Sequence, residues 1–338
     1  MSPTACLFTL MLLTAFLIPY PALSQESQQL AEGWDFVPGE KLLLYDDFTD
    51  MPKGGSPPHW KVRGASVKLG ADGRLIFTEE TQLYPNISQW PKNFTVEQEF
   101  VVRKSENSDL AWIFMSSEDE QQWKVAIRFF GENSCSASLE GAEGELGTAA
   151  CKYEDGKAGK LGFWMQDERI RVYWNRERLI DVNQVKAKPL GKVWMEVAPN
   201  EGAIFSLAYC RIAESSPDFS KTILSTGRFV THGIQFDVNS DRLRPESMPV
   251  LKLVADAMAT QPALKLRIEG HTDSSGDAAK NLDLSKRRAE SVKNALATTF
   301  NIVAERLVAE GFGSTKPLSS NDTPQGRANN RRVEFAKM

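Results

Sequence analysis

Arg288 is the residue that a simple helix does not explain. It lies in the stretch from Gly270 to Val292, "GHTDSSGDAAKNLDLSKRRAESV". The second half reads as an amphipathic helix when successive residues are placed about 100° apart around an axis. With Leu284 at zero, Ala289, Val292, Ala295, Leu296 and Phe300 fall within an arc of roughly 160°, the face a core would cover. Arg288 falls inside that arc at about 40°, whereas Lys286, Arg287, Glu290 and Lys293 fall outside it. A guanidinium at a core edge can form a structural ion pair with an acid such as Asp273. It can also snorkel its head past the apolar rim, or turn its planar fork to the carboxylate of a ligand. Helical spacing leaves all three open.

Other residues could also do chemistry. "VEQEF" places Glu97 and Glu99 on the same side of a strand, roughly 6–7 Å apart from the strand rise. Two carboxylates about 5–9 Å apart suit glycoside hydrolysis, although a solvated strand face accounts for the pair more simply. His59, His232 and His271 are far apart and form no HExxH or similar set. The chain has four cysteines and no CxxC pair, which argues against a zinc site. Neither a metal nor a cofactor is expected. Cys6 lies in the leader. Cys135 and Cys151 flank "SASLEGAEGELGTAA", which reads as a hairpin or loop, so these two are expected to pair and leave Cys210 free. Cys210 follows Tyr209 and is expected on the strand face opposite Phe205 and Leu207.

The elements that must position these residues follow from the whole chain. Its 338 residues are enough for two or three domains. A net charge of -4 gives no general attraction to nucleic acid. Residues 1–24 read as a signal peptide, with an apolar run from Cys6 to Ile18, then Pro19 and Pro21, and small residues Ala22 and Ser24 before the cut. That run is shorter than the roughly 20 residues a membrane-spanning helix needs. From 33 to 212 the pattern is all-β. Trp123, Val125, Ile127 and Phe129 share a face, as do Ile170, Val172 and Trp174, then Val193, Met195 and Val197, then Phe205, Leu207 and Tyr209. Residues 213–222, "AESSPDFSKT", read as a linker. From 223 to 338 strands and helices alternate. "GIQFDV" reads as a strand, "PESMPVLKLVADAMAT" as a helix, "LKLRIEG" as a strand, then the Arg288 helix, then strands at "RLVAEGFG" and "RRVEF".

Within the first region, "FVPGEKLLLYDDFTD", "PPHW" and "IRVYWNRERLIDV" resemble concanavalin A-like jelly-roll domains. The resemblance implies a sandwich whose partner is a glycan or a surface protein. Two alternatives compete with it. An outer-membrane β-barrel also alternates, but its strands need about 9–11 residues and girdles of aromatic residues. Here the clean alternations are shorter, and the chain has only six tyrosines. The other is a wall-docked carbohydrate-active enzyme using Glu97 and Glu99; against it, the central acidic position of the glucanase pattern is Gln98.

The second region resembles the C-terminal domain of the outer-membrane protein A family, shared with peptidoglycan-associated lipoproteins and flagellar stator proteins. The residues that carry this are "FDVNSDRLRPES", "IEGHTDSSG", "NLDLSKRRAESVKNAL", "EGFG" and "NDTPQGRANNRRVEF". The signature N-x-x-L-S-x-x-R-A-x-x-V-x-x-x-L is met at Asn281, Leu284, Ser285, Arg288, Ala289, Val292 and Leu296. The resemblance implies a βαβαβ α/β sandwich that binds the diaminopimelate-containing peptide stem of peptidoglycan. Asp273 and Arg288 would grip the side-chain end of diaminopimelate, with Asn239, Thr272, Asn281 and Arg331 in support. Arg288 is then expected near its helix N-terminus, at the mouth of the loop after a strand. The whole chain reads as an all-β jelly-roll sandwich followed by an OmpA-like α/β domain. Its expected function is non-enzymatic, and its expected place is the periplasm or outer membrane, associated with the cell wall.

Overall fold

The computed structural model describes residues 34–215 and 219–338. The expected signal peptide, residues 1–24, lies outside the described residues.

Two antiparallel sheets, one of eight strands and one of seven, form the N-terminal sandwich. The alternation that predicts the strands also decides what lies between the sheets. Trp123, Val125, Ile127 and Phe129 on the strand Gln121–Phe129 are all buried. They join Val172, Trp174, Val193, Met195 and Val197 in one continuous core. Its centre is aromatic: the Phe114 and Phe163 rings meet edge-on at 5.2 Å, and Trp112 meets Phe163 at 6.1 Å. Because the large apolar side chains point between the two sheets, the architecture is not that of a barrel, which turns its apolar residues out to lipid.

One strand departs from simple alternation. In Ile204–Glu214 the register slips between Leu207 and Tyr209: Leu207 pairs with Phe100, and Tyr209 already pairs with Glu99. The extra residue, Ala208, makes a β-bulge, which exchanges the two faces beyond it. Phe205, Leu207 and Cys210 therefore share the core, and Tyr209 faces outward. The expectation that Tyr209 aligns with Phe205 and Leu207, with Cys210 opposite, is corrected by this bulge.

Cys135 and Cys151 are directly opposite on the paired strands Ser134–Gly141 and Gly144–Lys152 and form a disulfide. Cys210 is a free, fully buried thiol, and burial, then Asp46, pushes its pKa well up. A thiol that is both inaccessible and protonated is inert. Non-reducing peptide mapping should link Cys135 to Cys151, and iodoacetamide should label Cys210 only in denaturant. Labelling of the native protein, or a bridge that includes Cys210, would contradict this arrangement.

The C-terminal domain has a four-stranded sheet in the order 228–231, 333–337, 266–271, 307–313. Only the last two strands are parallel. Among the described residues four α-helices accompany it: α1 (Phe219–Thr226), α2 (Met248–Thr260), α3 (Ala278–Thr299) and α4 (Pro324–Asn330). Val254 and Met258 of α2 and Val292 and Leu296 of α3 bury against Leu266, Ile268 and Phe335 of the sheet. Strand Leu266–His271 thus gives one face to the core, while Glu269 and its neighbours carry ion pairs with Arg228 and Arg267.

Two expected boundaries move. The strand read at "GIQFDV" is Arg228–Thr231 instead. Gly233 lies against Pro38 and Val250, and the chain then folds into a loop closed by a Phe236–Leu243 bridge and an Asp237 amide to Arg242 carbonyl bond. The stretch 213–222 is also largely built into elements. The last sandwich strand runs to Glu214, and α1 begins at Phe219. Phe219 and Ile223, one helical turn apart, are buried, with the Phe219 ring 4.6 Å from that of Phe229. Two apolar residues in a polar stretch give little periodicity, but they suffice to pin one helical turn.

The domains touch. Val37 packs against the C-terminal core. Arg176 and Lys160 of the sandwich reach Glu246 at 3.0 and 3.7 Å, and Arg327 donates to Thr49 at 3.1 Å.

Candidate functional site

Asp273 sits just past the C-terminal end of strand Leu266–His271. The loop turns at Gly276, whose φ of 83° suits glycine. Asp277 then caps α3 by accepting from the Lys280 amide at 2.9 Å. The Asp273 carboxylate accepts from the Ser275 amide at 2.9 Å and from Arg331 at 2.7 Å. Burial alone would raise its pKa; the Arg331 and Ser275 hydrogen bonds outweigh burial and hold it below the usual carboxylate range. Asp273 is therefore charged at any physiological pH.

Arg288 is not near the N-terminus of its helix. α3 begins at Ala278, ten positions earlier, because Asp277 rather than a later residue caps it. The half-buried guanidinium donates from Nε to the Ser240 carbonyl at 2.9 Å and lies 4.9 Å over the Phe236 ring. Among the described residues it makes no ion pair. Burial, then the neighbouring Arg287, pushes its pKa down. A cation held by carbonyls and a ring, beside other cations, has unspent capacity for an anion.

All six residues singled out in the sequence line one pocket of about 600 Å³. Asn239 has a φ of 53° at the tip of the loop that holds Arg288. Asn281 donates to the carbonyls of Ser275 and Asp273, so it shapes the loop. Thr272 bonds through its amide to Gly313, and its buried hydroxyl has no partner among the described residues. Arg331 bridges from Asp273 toward the sandwich, with its guanidinium 5.8 Å from the Tyr45 ring.

Several lining residues that the sequence did not associate with this pocket come from the other domain. Tyr45, Glu97, Glu99, Lys160, Tyr209 and Arg211 form its opposite side. Glu97 and Glu99 share a face as their spacing predicts, but they are not equivalent. Glu97 is ion-paired with Arg211 at 3.0 Å, both largely buried. Gln98 turns inward, accepting from Trp112 at 3.2 Å. Period-two spacing was the only signal for the carboxylates, and the bulge that turns Tyr209 toward them has no sequence signature.

Glu269, His271 and Glu334 bring ligand-type atoms within 4.8 Å of one another. The set does not fit a metal, because Arg228, Arg267 and Arg332 already occupy the carboxylates. Burial, then Arg332, pushes His271 down to about 4; burial, then Arg211, pushes His232 down to about 3. Both imidazoles are neutral in the fold, whereas an unfolded histidine titrates near about 6.5. The unfolded chain takes up these protons first as pH falls. Their stabilising contribution is complete above about 6.5 and is lost progressively toward the folded values. In denaturant unfolding between pH 6.5 and 4.5, His271→Gln should reduce the mean slope of stability against pH by about 1 kcal/mol per pH unit, somewhat less than the roughly 1.4 of a full proton because the histidine is only partly titrated at the two ends of the window. An unchanged slope would show that His271 titrates in the fold as it does in the unfolded chain.

A strand-end aspartate and an arginine without an ion pair among the described residues share a pocket on a small α/β unit joined to a β-sandwich. Residues 235–331 match the OmpA family, so the C-terminal unit is an OmpA-family domain. Outer membrane protein Omp38 of Acinetobacter baumannii is 31% identical over 194 residues, 53% of this chain and 51% of its own. The chain thus spans about half the length of that relative. The peptidoglycan-binding protein ArfA of Mycobacterium tuberculosis is 38% identical over 107 residues, 31% of this chain and 32% of its own. Among solved structures, the Emp47p carbohydrate recognition domain aligns with 53% of this chain and 95% of its own, at 13% identity and a TM-score of 0.41. Among the described residues no helix is long and apolar enough to cross a membrane.

Proposed function

We propose that this protein is a non-enzymatic component of the bacterial cell envelope that binds the diaminopimelate-containing peptide stem of peptidoglycan. The observation that carries the reading is the half-buried Arg288, without an ion pair among the described residues, on the same pocket as a charged Asp273. The side-chain end of diaminopimelate is an amino-acid head with one ammonium and one carboxylate. Asp273 answers the ammonium, and the free edge of the Arg288 fork answers the carboxylate. Arg331 holds the Asp273 carboxylate in place. The match to the OmpA family and the likeness to a protein named for peptidoglycan binding support the ligand class. The likeness to an outer membrane protein supports a place in the periplasm or at the outer membrane.

The test is sedimentation of the purified protein with sacculi of two kinds. Walls with diaminopimelate should carry it into the pellet. Walls with lysine at that position lack the side-chain carboxylate and should bind it weakly. Equal binding to both walls, or to neither, would overturn the assignment.

A further inference from the structure

The sandwich does more than sit beside the pocket. The bulge at Ala208 turns Tyr209 out of the core and sets it opposite Glu99, on the sheet face that looks at the C-terminal domain. Bulges commonly re-aim a side chain next to a functional site. The Tyr209 ring stacks with that of Tyr45 at 6.1 Å and an interplanar angle of 19°. Tyr45 in turn lies 5.8 Å beneath the guanidinium of Arg331, which is bonded to Asp273. A continuous path of side chains therefore runs from Asp273 to Glu99 along one pocket.

Glu99 is the unusual member. Glu97 has Arg211, and Lys160 has Glu246 at 3.7 Å. The half-buried Glu99 has neither a hydrogen bond nor an ion pair among the described residues. An ionised carboxylate is an acceptor only, so its complement must bring donors. The two stacked tyrosine rings beside it offer an apolar surface.

We infer that Glu99, Tyr209 and Tyr45 form a second subsite, supplied by the sandwich, for the part of the ligand that extends beyond the amino-acid head. That part carries N–H or O–H donors and a face able to lie on an aromatic ring. The amides of the stem peptide and the amino sugars attached to it share this chemistry. The inference rests on the binding reading above, and it gives the fusion of the two domains a purpose: each contributes one wall to a single site.

The experiment is titration calorimetry on the whole mature chain with three ligands: free diaminopimelate, the tripeptide stem that ends in it, and the same tripeptide joined to its disaccharide. At least one longer ligand should bind about tenfold tighter than free diaminopimelate. Glu99→Ala should remove that advantage and leave free diaminopimelate unchanged. Tyr209→Ala, checked for folding by circular dichroism, should do the same. An advantage that begins with the tripeptide identifies the peptide amides as the donors; one that begins with the disaccharide identifies the sugar. If Glu99→Ala leaves the ratio of long to short ligand at its wild-type value, the subsite does not exist. If free diaminopimelate fails to bind but a longer ligand binds in a Glu99-dependent way, the head-group reading fails and the subsite stands. If no ligand binds the wild-type chain, both fail.

Discussion

Asp273→Ala and Arg288→Ala should each lose tens-fold or more of the binding to diaminopimelate-type sacculi. In the proposed complex each residue answers one charge of the ligand head, so truncating either would leave the opposing charge desolvated without its partner. Such a loss costs about 2–5 kcal/mol in a desolvated pair, and about 1.4 kcal/mol is a factor of ten. The Asp273 variant carries an added cost, because Arg331 loses its 2.7 Å partner. Arg288→Lys should rescue only partly. The guanidinium gives Nε to the Ser240 carbonyl at 2.9 Å and reaches the Asp237 carbonyl from one terminal nitrogen at 3.5 Å, with further N–H groups left over; a single ammonium cannot hold the loop and present a fork at once. Arg287→Ala is the control. That side chain is exposed and already paired with Asp283 at 2.9 Å and Asp241 at 3.1 Å, so its loss should change binding less than about twofold, as for most exposed pairs. Sedimentation with purified sacculi, after circular dichroism shows that each variant is folded, reads these outcomes. Unchanged pull-down of folded Asp273→Ala and Arg288→Ala would return Arg288 to a structural role.

The sequence discloses those parts of the molecule that local chemistry decides. Trp123, Val125, Ile127 and Phe129 must share a face because a strand has a period of two, and they do. The helix stripe through Ala289, Val292 and Leu296 is buried as its 3.6 period requires. Arg288 was visible as an anomaly on that stripe, and a family signature drew Asp273 and Arg288 together. Three features were not legible. The strand Arg228–Thr231 and the loop after it exchange the expected order, because pairing with residues 333–337 decides which short apolar run becomes a strand. The helix at Phe219 rests on two ring contacts from distant segments. The bulge at Ala208 is set by pairing with the strand Phe94–Arg103. Each of these is fixed by partners far away in sequence. The second wall of the pocket, which depends on that bulge and on how two domains meet, was invisible for the same reason.

Gly311→Val should lower stability by about 3 kcal/mol or more, at or beyond the upper end of ordinary overpacking, and should weaken sacculus binding by a route that touches no ligand. Gly270 and Gly311 are direct partners on the two parallel strands. Together they make a bare floor on which one turn of α3 rests. A Cβ at Gly270 would lie 2.2 Å from the Ser285 carbonyl oxygen. At Gly311 it would lie 2.3 and 2.6 Å from the backbone nitrogen and Cα of Lys286. These are helix backbone atoms, so no side chain can swing aside, and the helix itself must lift. Ser285 fixes the same turn by accepting from the Gly313 amide at 2.8 Å. Arg288 projects from the next turn, so a lifted helix moves its guanidinium away from Asp273 and the loop at Ser240. Gly131→Ala is the matched control. The nearest atom to its Cβ is the flexible Glu106 side chain at 3.6 Å, an ordinary contact that should leave both properties unchanged. Denaturant unfolding gives the stability, and sedimentation at a temperature where the variant is still folded gives the binding. A folded Gly311→Val protein with wild-type binding would show that the close approach of α3 to the sheet does not set the position of Arg288.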